Sequence, residues 1–331
     1  MKLLVVGTGS IGKRHLGNFQ KYFDKCDIAD SREDRINECN KKFKINNSFL
    51  SYDEAFRNHN YDVVLITLPP HLHLDVAKKA VKKNINLFIE KPLGMNNQGW
   101  LEIAEECSKK QLVNYVAYCH RHINYTKKFK EILDTKKFGK ILNVSMKWGS
   151  YLPDWHPWED YRTFYMAKKD QGGGALLDES HGLDLVRYFF GEVKEVFAIV
   201  DKTSDLEISS DDHALLTLRM KDNNLVQINF DLVARVPSCK MEVTAEKGTL
   251  IWDRVNHKIQ TFEIEQQKWE EDVYSKEDFL NMYINQTDYF IKCLKQKSKV
   301  MNDIYDAMKT QEIIDKSFLS SKEKKLISYV K

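Results

Sequence analysis

The sequence predicts an α/β protein of two parts: a doubly wound parallel sheet, then an α+β domain with an open, mostly antiparallel sheet. Up to about residue 120, short apolar runs alternate with helical patterns, as βαβ units with right-handed crossovers require. Between residues 193 and 264, apolar runs follow one another with short turns and no helical pattern. The 331 residues accommodate two domains, which we place at residues 1–120 and 121–331.

The composition is that of a globular protein, with 42% hydrophobic and 30% charged residues. The charges are dispersed and sum to only +3, so we expect no nucleic-acid partner. No apolar run approaches the ~20 residues that span a bilayer. The six cysteines form no C-x-x-C pair, which excludes the common zinc spacings and a disulfide framework. We therefore expect a cytoplasmic protein without a membrane segment or a metal site.

The elements of the first part follow from its periodicity. Continuous apolar runs predict strands that are buried on both faces of a parallel sheet. These runs are Leu3–Val6, Cys26–Ala29, Tyr61–Thr67, Ile85–Ile89 and Asn114–Ala117. The intervening patterns predict helices that begin near Ile11 and cover Arg32–Phe43, Ser51–His59, His73–Lys83 and Asn97–Lys109.

The first strand ends in a G-x-G-x-x-G spacing formed by Gly7, Gly9 and Gly12. In this context the three glycines permit a sharp turn, a close approach of a pyrophosphate to the backbone, and tight helix–strand packing. The N–H groups at the start of the following helix, around Ser10 and Ile11, attract phosphates. The stretch predicts a dinucleotide site.

Asp30 ends the second strand, eighteen positions beyond Gly12, where a ribose-binding carboxylate is expected. A carboxylate there accepts hydrogen bonds from a free 2′-hydroxyl and repels a 2′-phosphate. Arg32 follows two residues later and favours the phosphate instead. NAD is therefore the expected cofactor, and NADP stays open.

Two further strands end at the edge where open parallel sheets bind their ligands. Thr67, Pro69 and His73 follow one strand, and Glu90 and Lys91 follow the next. A lysine at this rim, beside an oxidised nicotinamide, is suited to exchanging a proton near neutral pH. We expect all five residues to border the cofactor.

The elements of the second part are predicted from helical spacing and from alternating or apolar runs. The predicted helices are Asn124–Asp134, Leu177–Phe190, Lys276–Lys295 and Asp303–Phe318. The predicted strands are Ile141–Gly149, Val193–Val200, His213–Met220, Leu225–Leu232, Lys240–Ala245, Thr249–Trp252 and Lys258–Ile264.

A triple glycine at residues 172–174 leads into the helix that carries Asp178, His181 and Asp184 at three-residue intervals. On one helix these side chains are neighbours, so His181 reaches either carboxylate. A histidine supported by a carboxylate suits general acid–base catalysis. A capping aspartate with a hydrogen-bonded structural histidine is the alternative.

Taken in order, the glycine motif, Glu90-Lys91-Pro92 and the segment Gly172–Asp178 with His181 resemble the Gfo/Idh/MocA family of glucose–fructose oxidoreductase and inositol dehydrogenase. The resemblance implies an N-terminal Rossmann domain and a C-terminal open sheet that commonly mediates oligomerisation. It assigns the catalytic lysine to Lys91, the catalytic histidine to His181 and the accompanying acid to Asp178.

The resemblance has one departure. Members of the inositol dehydrogenase type space the aspartate and the histidine by four residues, whereas Asp178 and His181 are three apart. Whether Asp178 or Asp184 orients His181 therefore stays open.

Two segments are expected to touch the substrate. Tyr118–His122 follows the last strand of the first domain and contains Arg121. The aromatic segment Trp155–Arg162 contains Trp158 and Arg162, and its rings and charges suit the C–H faces and hydroxyls of a sugar. Loop packing by the tryptophans is the alternative.

These observations predict an NAD(P)-dependent oxidoreductase that acts on a secondary alcohol or ketone of a sugar, a nucleotide sugar or a cyclic polyol. The resemblance implies a homo-oligomer, a dimer or a tetramer, formed through the C-terminal sheet. Two alternatives stay open: a regulator that senses the dinucleotide or sugar without turnover, and a dihydrodiol dehydrogenase-like reductase.

Overall fold

The computed structural model describes residues 1–155 and 157–329, which form two compact units. The first unit comprises residues 1–119 and 283–311. The second comprises residues 120–282 and the residues from Glu312 onward. Both units are mixed α and β, as the sequence predicts.

The first unit is built on a parallel sheet in the order β3-β2-β1-β4-β5-β6. Its strands are β1 (Lys2–Val6), β2 (Lys25–Ala29), β3 (Ser48–Phe49), β4 (Val63–Ile66), β5 (Asn86–Ile89) and β6 (Asn114–Val116). The helices that alternate with them are α1 (Ser10–Phe19), α2 (Glu33–Lys42), α3 (Tyr52–Asn58), α4 (His73–Lys82) and α5 (Trp100–Lys109). The predicted doubly wound sheet is confirmed, and the two-residue β3 is an addition to it.

The second unit is built on a mixed sheet in the order β14-β13-β12-β11-β7-β10-β9-β8-β15. Its strands are β7 (Ile141–Gly149), β8 (Val193–Asp201), β9 (His213–Met220), β10 (Leu225–Asp231), β11 (Ser238–Ala245), β12 (Gly248–Asp253), β13 (Lys258–Glu263), β14 (Lys268–Val273) and β15 (Ile327–Ser328). Strands β7 and β10 pair in parallel, and the other described pairs are antiparallel.

Six further helices follow α5 in the described chain. They are α6 (Asn124–Asp134), α7 (Ala175–Asp178), α8 (Ser180–Phe190), α9 (Lys276–Leu280), α10 (Met282–Gln296) and α11 (Ile304–Glu323). Two helices that were predicted to be continuous are interrupted, at Glu179 and at Asn281. Strands β14 and β15 were not predicted, because one is exposed along its whole length and the other has only two residues.

The segment 283–311 completes the core of the first unit. Phe290 and Ile291 of α10 pack with β1 residues on one face of the parallel sheet, and Ile304 and Ala307 of α11 pack on the other. The sequence-based division assigned this segment to the second domain, because chain order alone shows no return to the first. Within the described residues, no helix combines the length and apolar character needed to cross a membrane.

Candidate functional site

The turn between β1 and α1 has the geometry that the glycine spacing predicts. Gly7 adopts a φ of +93°, which L residues rarely adopt. A Cβ atom at Gly12 would lie 2.0 Å from the Gly7 carbonyl oxygen, so only glycine permits this packing. At Gly9 the nearest atom to such a Cβ is a nitrogen of the Arg35 side chain, 3.6 Å away. The backbone at Gly9 is therefore open to a ligand.

The first turn of α1 is suited to an anion. Gly9 is the N-cap, no side chain caps this end, and no acidic residue lies in the first turn. The backbone N–H groups of Ser10 and Ile11 lie at this end, where α-helices leave donors unsatisfied and the dipole is positive. A ten-residue helix that begins in this way fits the pyrophosphate of a dinucleotide.

Asp30 lies at the end of β2, beside this turn, and its carboxylate is buried and oriented. Oδ2 accepts hydrogen bonds from the backbone N–H of Thr8 at 2.7 Å and from its hydroxyl at 2.9 Å. Oδ1 accepts one from the Arg32 N–H at 2.9 Å. The Arg32 guanidinium is paired with Asp34. Asp30 keeps acceptor capacity for a ribose, which fits NAD.

The ends of β4 and β5 carry the other predicted cofactor residues. The Thr67 hydroxyl donates to the Val6 carbonyl at 3.0 Å and thereby ties β4 to the glycine turn. Pro69 is half-buried at the start of the next loop. The buried His73 ring lies between the carbonyl oxygens of Leu68 at 2.7 Å and Leu93 at 3.3 Å, and burial lowers its pKa. His73 therefore holds two loops together through its ring.

Glu90 and Lys91 follow β5, and Glu90 has a partner that sequence reasoning missed. His15 of α1 is fully buried, and its Nε2 lies 2.6 Å from Glu90 Oε1. Among the described residues, His15 Nδ1 has no hydrogen-bond partner, which favours the tautomer with the proton on Nε2. Glu90 Oε2 accepts from the N–H of the half-buried Lys91 at 3.2 Å. Glu90 thus fixes the backbone from which Lys91 projects.

In the second unit, the helix expected to carry both Asp178 and His181 is interrupted. Asp178 is the last residue of α7 and His181 the second of α8, with Glu179 between the two helices. The single-helix prediction was therefore wrong for Asp178, whereas His181 and Asp184 do lie on one helix, α8. Asp178 accepts a hydrogen bond from the Tyr165 hydroxyl at 2.5 Å. Asp178, Glu179 and His181 are all buried.

Asp211 holds the start of α7. Its carboxylate accepts from the Leu176 N–H at 2.9 Å, and its backbone carbonyl accepts from the Ala175 N–H at 2.9 Å. Burial raises the pKa of Asp211 to about 6.

The Asp211 pKa predicts a pH dependence of stability. The folded protein binds this proton more tightly than the unfolded chain does. The free energy of unfolding should therefore fall as the pH rises from about 4 to about 6. Asp211→Asn should remove that fall, which we expect to be about 2–3 kcal/mol. Calorimetric unfolding of both proteins across this range measures it. A wild-type minus variant difference that is constant with pH would contradict the assignment.

Arg121 and Asp184 form a buried ion pair in the second unit. Arg121 Nε donates to Asp184 Oδ2 at 2.8 Å, and Nη2 donates to Oδ1. The guanidinium also lies 5.3 Å from the centre of the Tyr188 ring. Sequence reasoning placed Arg121 at the substrate and left Asp184 as a possible support for His181. The pair attaches α8 to the segment that contains Arg121, since the charged groups bind each other away from solvent, and the contact of Arg121 with a substrate stays a prediction.

His181 belongs to a set of aromatic rings that we call the His181 ring cluster, formed by Trp148, His120, His181 and Phe279. The His120 and His181 rings are parallel, with centres 4.2 Å apart. Trp148, at the end of β7, is nearly parallel to both, at 5.1 Å from His120 and 6.3 Å from His181. Phe279 meets His120 edge-on at 6.3 Å. This stacking orients the His181 imidazole.

A third histidine of this region has a different character. His122 is buried, and burial lowers its pKa to about 3, with Lys127 and Arg121 acting in the same direction. It therefore stays neutral at physiological pH and is unsuited to accepting a proton.

The aromatic segment lies at the surface of the second unit, and its contact with a substrate stays a prediction. The Trp158 side chain is 74% exposed. Arg162 is also exposed and is paired with Asp160 at 2.9 Å and Glu207 at 3.2 Å. Both predicted substrate ligands thus lie on a surface loop. His156 of the same segment lies outside the described residues.

Two family models match this chain, and both name the same family. Residues 1–118 match the oxidoreductase family with an NAD-binding Rossmann fold, GFO_IDH_MocA, and residues 126–251 match the GFO/IDH/MocA C-terminal domain. The chain is 29% identical over 265 residues to myo-inositol 2-dehydrogenase of Thermotoga maritima, which covers 77% of this chain and 76% of that protein.

Two solved structures share the fold over the full chain. A levoglucosan dehydrogenase in complex with NADH and levoglucosan superposes with a TM-score of 0.87 at 17% identity, covering 100% of both chains. The WlbA dehydrogenase of Bordetella pertussis, in complex with NADH and UDP-GlcNAcA, gives 0.83 at 19% identity, covering 100% of this chain and 99% of that one.

Proposed function

Because the chain belongs to the GFO/IDH/MocA family of NAD-binding oxidoreductases, we propose that it transfers a hydride between NAD and the secondary alcohol or ketone of a sugar, a nucleotide sugar or a cyclic polyol. The observation that carries the proposal is the glycine turn with Asp30 beside it, which fits a dinucleotide. The carbohydrate class is supported by the inositol, levoglucosan and UDP-GlcNAcA named for the relatives.

When bound, NAD supplies or accepts the hydride. In the direction of oxidation, the His181 imidazole takes the proton of the substrate hydroxyl as general base. In reduction it returns that proton to the ketone oxygen. To Lys91 we assign the role of the family's catalytic lysine, whose ammonium stabilises the negative charge that develops on the substrate oxygen in the transition state.

The neighbours of these two residues hold them in place. Glu90, bound by His15, fixes the backbone at Lys91. Asp178 is held by Tyr165, and we assign it the support of His181, because Asp184 is bound to Arg121. These carboxylates thus act as positioning residues.

Asp30→Ala should weaken NADH binding by ~10–100-fold, since it removes a charged acceptor for the ribose hydroxyls. Titration of NADH fluorescence with the purified protein measures the change. Asp222→Ala, at an exposed turn in the second unit, removes the same group and should leave the affinity unchanged. Equal NADH affinities of Asp30→Ala and the wild type would remove Asp30 from the cofactor site.

The test of the function is a substrate screen. Wild-type protein with NAD is incubated with inositols, aldoses, anhydrosugars and UDP-sugars while the absorbance of reduced nicotinamide is followed. The Lys91→Met protein serves as the inactive control. Formation of NADH with at least one carbohydrate, absent in the control, supports the proposal. NADH binding without turnover of any of them in either direction favours the sensing regulator instead.

We also propose that the open sheet of the second unit pairs with a second copy of the chain in the cytoplasm. Phe197 and Ile199 of β8 and Leu215 of β9 are 39%, 54% and 44% exposed, and Ile199 lies opposite Leu215 in the sheet. Ile199→Arg should place a charge in this apolar patch and shift the protein towards the monomer, as measured by sedimentation velocity. An unchanged sedimentation coefficient would exclude this face as the interface.

A further inference from the structure

Arg254 follows β12 and lies against the His181 ring cluster. Its guanidinium carbon is 4.9 Å from the centre of the Trp148 ring and 5.5 Å from that of Phe279. Its backbone is fixed as well, because its N–H donates to the Cys239 carbonyl at 2.9 Å. The same tryptophan ring therefore lies beside both Arg254 and the proposed general base.

The charge of Arg254 has no direct counterpart in the described part of the chain. The guanidinium hydrogen-bonds to the Cys239 side chain but forms no salt bridge with a described carboxylate, and its buried Nε has no hydrogen-bond partner among the described residues. Buried arginines elsewhere in this unit, Arg121 and Arg187, are paired with Asp184 and Glu192. An enclosed cation without an ion pair is costly, so its retention points to an external anion.

The groups around Arg254 keep it charged. Burial opposes the charged form, yet the nearby Cys239 thiol and Glu179 carboxylate raise the pKa of Arg254 above its ordinary value. Burial also raises the pKa of Cys239 to about 12, so this thiol stays neutral and Glu179 provides the only negative charge among these neighbours. The residue as a whole is half-buried, which leaves it within reach of a ligand.

We propose that Arg254 binds a carboxylate of the substrate, so that the preferred substrate is a sugar acid rather than a neutral sugar. This inference rests on the proposed function, since it places the sugar at His181. A planar guanidinium matches a carboxylate with two parallel N–H···O bonds, and one positive charge balances one negative charge. A phosphate monoester, in contrast, carries about two negative charges, which a single arginine does not balance.

The test compares matched acid and neutral ligands. Binding of D-glucuronate and D-glucose, and of UDP-glucuronate and UDP-glucose, is measured by calorimetry with the NADH-loaded protein. The wild type should bind the acid of at least one pair ~10–100-fold more tightly than the neutral sugar. Raising the salt concentration should weaken only the acid. Equal affinities within both pairs would overturn the proposal.

Variants separate binding from structure. Arg254→Gln should remove the preference for the acid and leave the affinity for the neutral sugar within about twofold, whereas Arg254→Lys should retain part of the preference. Arg57→Gln, an exposed arginine of α3, is the matched control and should change neither affinity. If Arg254→Gln weakens acid and neutral sugar equally, Arg254 serves only to pack against Trp148 and the proposal is wrong.

Turnover distinguishes this inference from the function on which it rests. NADH formation with neutral sugars that is as efficient as with the matched acids, in the wild type and in Arg254→Gln alike, would overturn the sugar-acid inference and leave the oxidoreductase intact. Failure of every carbohydrate in the substrate screen would instead overturn the proposed function, and with it the placement of the sugar at His181.

Discussion

Replacing Lys91 with methionine is expected to lower kcat by ~10²–10⁴-fold and to leave the affinity for NADH nearly unchanged. Methionine keeps an unbranched, flexible side chain but cannot donate a hydrogen bond, so the substrate oxygen loses the charged donor that we propose for it. The backbone N–H at this position donates to Glu90, a contact that the substitution keeps. The cofactor site should therefore survive the substitution.

Steady-state kinetics with a carbohydrate found in the screen, together with NADH titration, measures this effect. Lys82→Met, on the exposed last turn of α4, is the matched control and should behave as wild type. The Glu90→Gln protein should show a smaller loss of kcat, because it weakens only the hold on the Lys91 backbone. A Lys91→Met enzyme with more than about a tenth of the wild-type kcat would remove Lys91 from the chemistry.

Replacing His181 with phenylalanine is expected to reduce kcat by a similar ~10²–10⁴-fold. Phenylalanine keeps a ring that can stack on His120, so the His181 ring cluster is preserved while both nitrogens are lost. The residual activity should also lose the dependence on pH near neutrality that a general base confers.

The decisive measurement is the pH profile of kcat for the wild type and the variant. His59→Phe makes the same change at a half-buried histidine that already contacts Phe49 and Tyr61, and its profile should match that of the wild type. If His181→Phe only shifts KM and keeps the shape of the profile, another group takes the proton.

The parts of the molecule that sequence reasoning predicted well are determined by short stretches of chain. The glycine turn and its carboxylate follow from a spacing, and both receive the predicted geometry at Gly7, Gly12 and Asp30. Strands Ile141–Gly149 and His213–Met220 are confirmed to the residue, because alternating burial within one strand is a local pattern.

The parts that were missed depend on residues far apart in sequence. Residues 175–190 have a continuous helical pattern, and the interruption at Glu179 is accompanied by an anchor at Asp211, thirty-five residues beyond Leu176. Arg121 finds Asp184 sixty-three residues away. Arg254, which follows β12, contacts Trp148 at the end of β7. Nothing in the sequence near Arg254 indicates this contact.

The aromatic segment shows what composition leaves open. Trp158 and Arg162 have the composition of a sugar-binding loop, yet Trp158 is exposed and Arg162 is paired with Asp160 and Glu207. Composition identifies what these side chains can bind, and their contact with a substrate stays a prediction.

The return of residues 283–311 to the first unit has a consequence for biosynthesis. A ribosome completes the sheet strands β1–β6 long before it makes Phe290 and Ile304, which cover opposite faces of that sheet. The apolar faces of the sheet therefore stay uncovered until residues 283–311 have been synthesised. A chain that terminates shortly before residue 283 should be recognised by chaperones and proteases, even though it contains every predicted cofactor-binding residue.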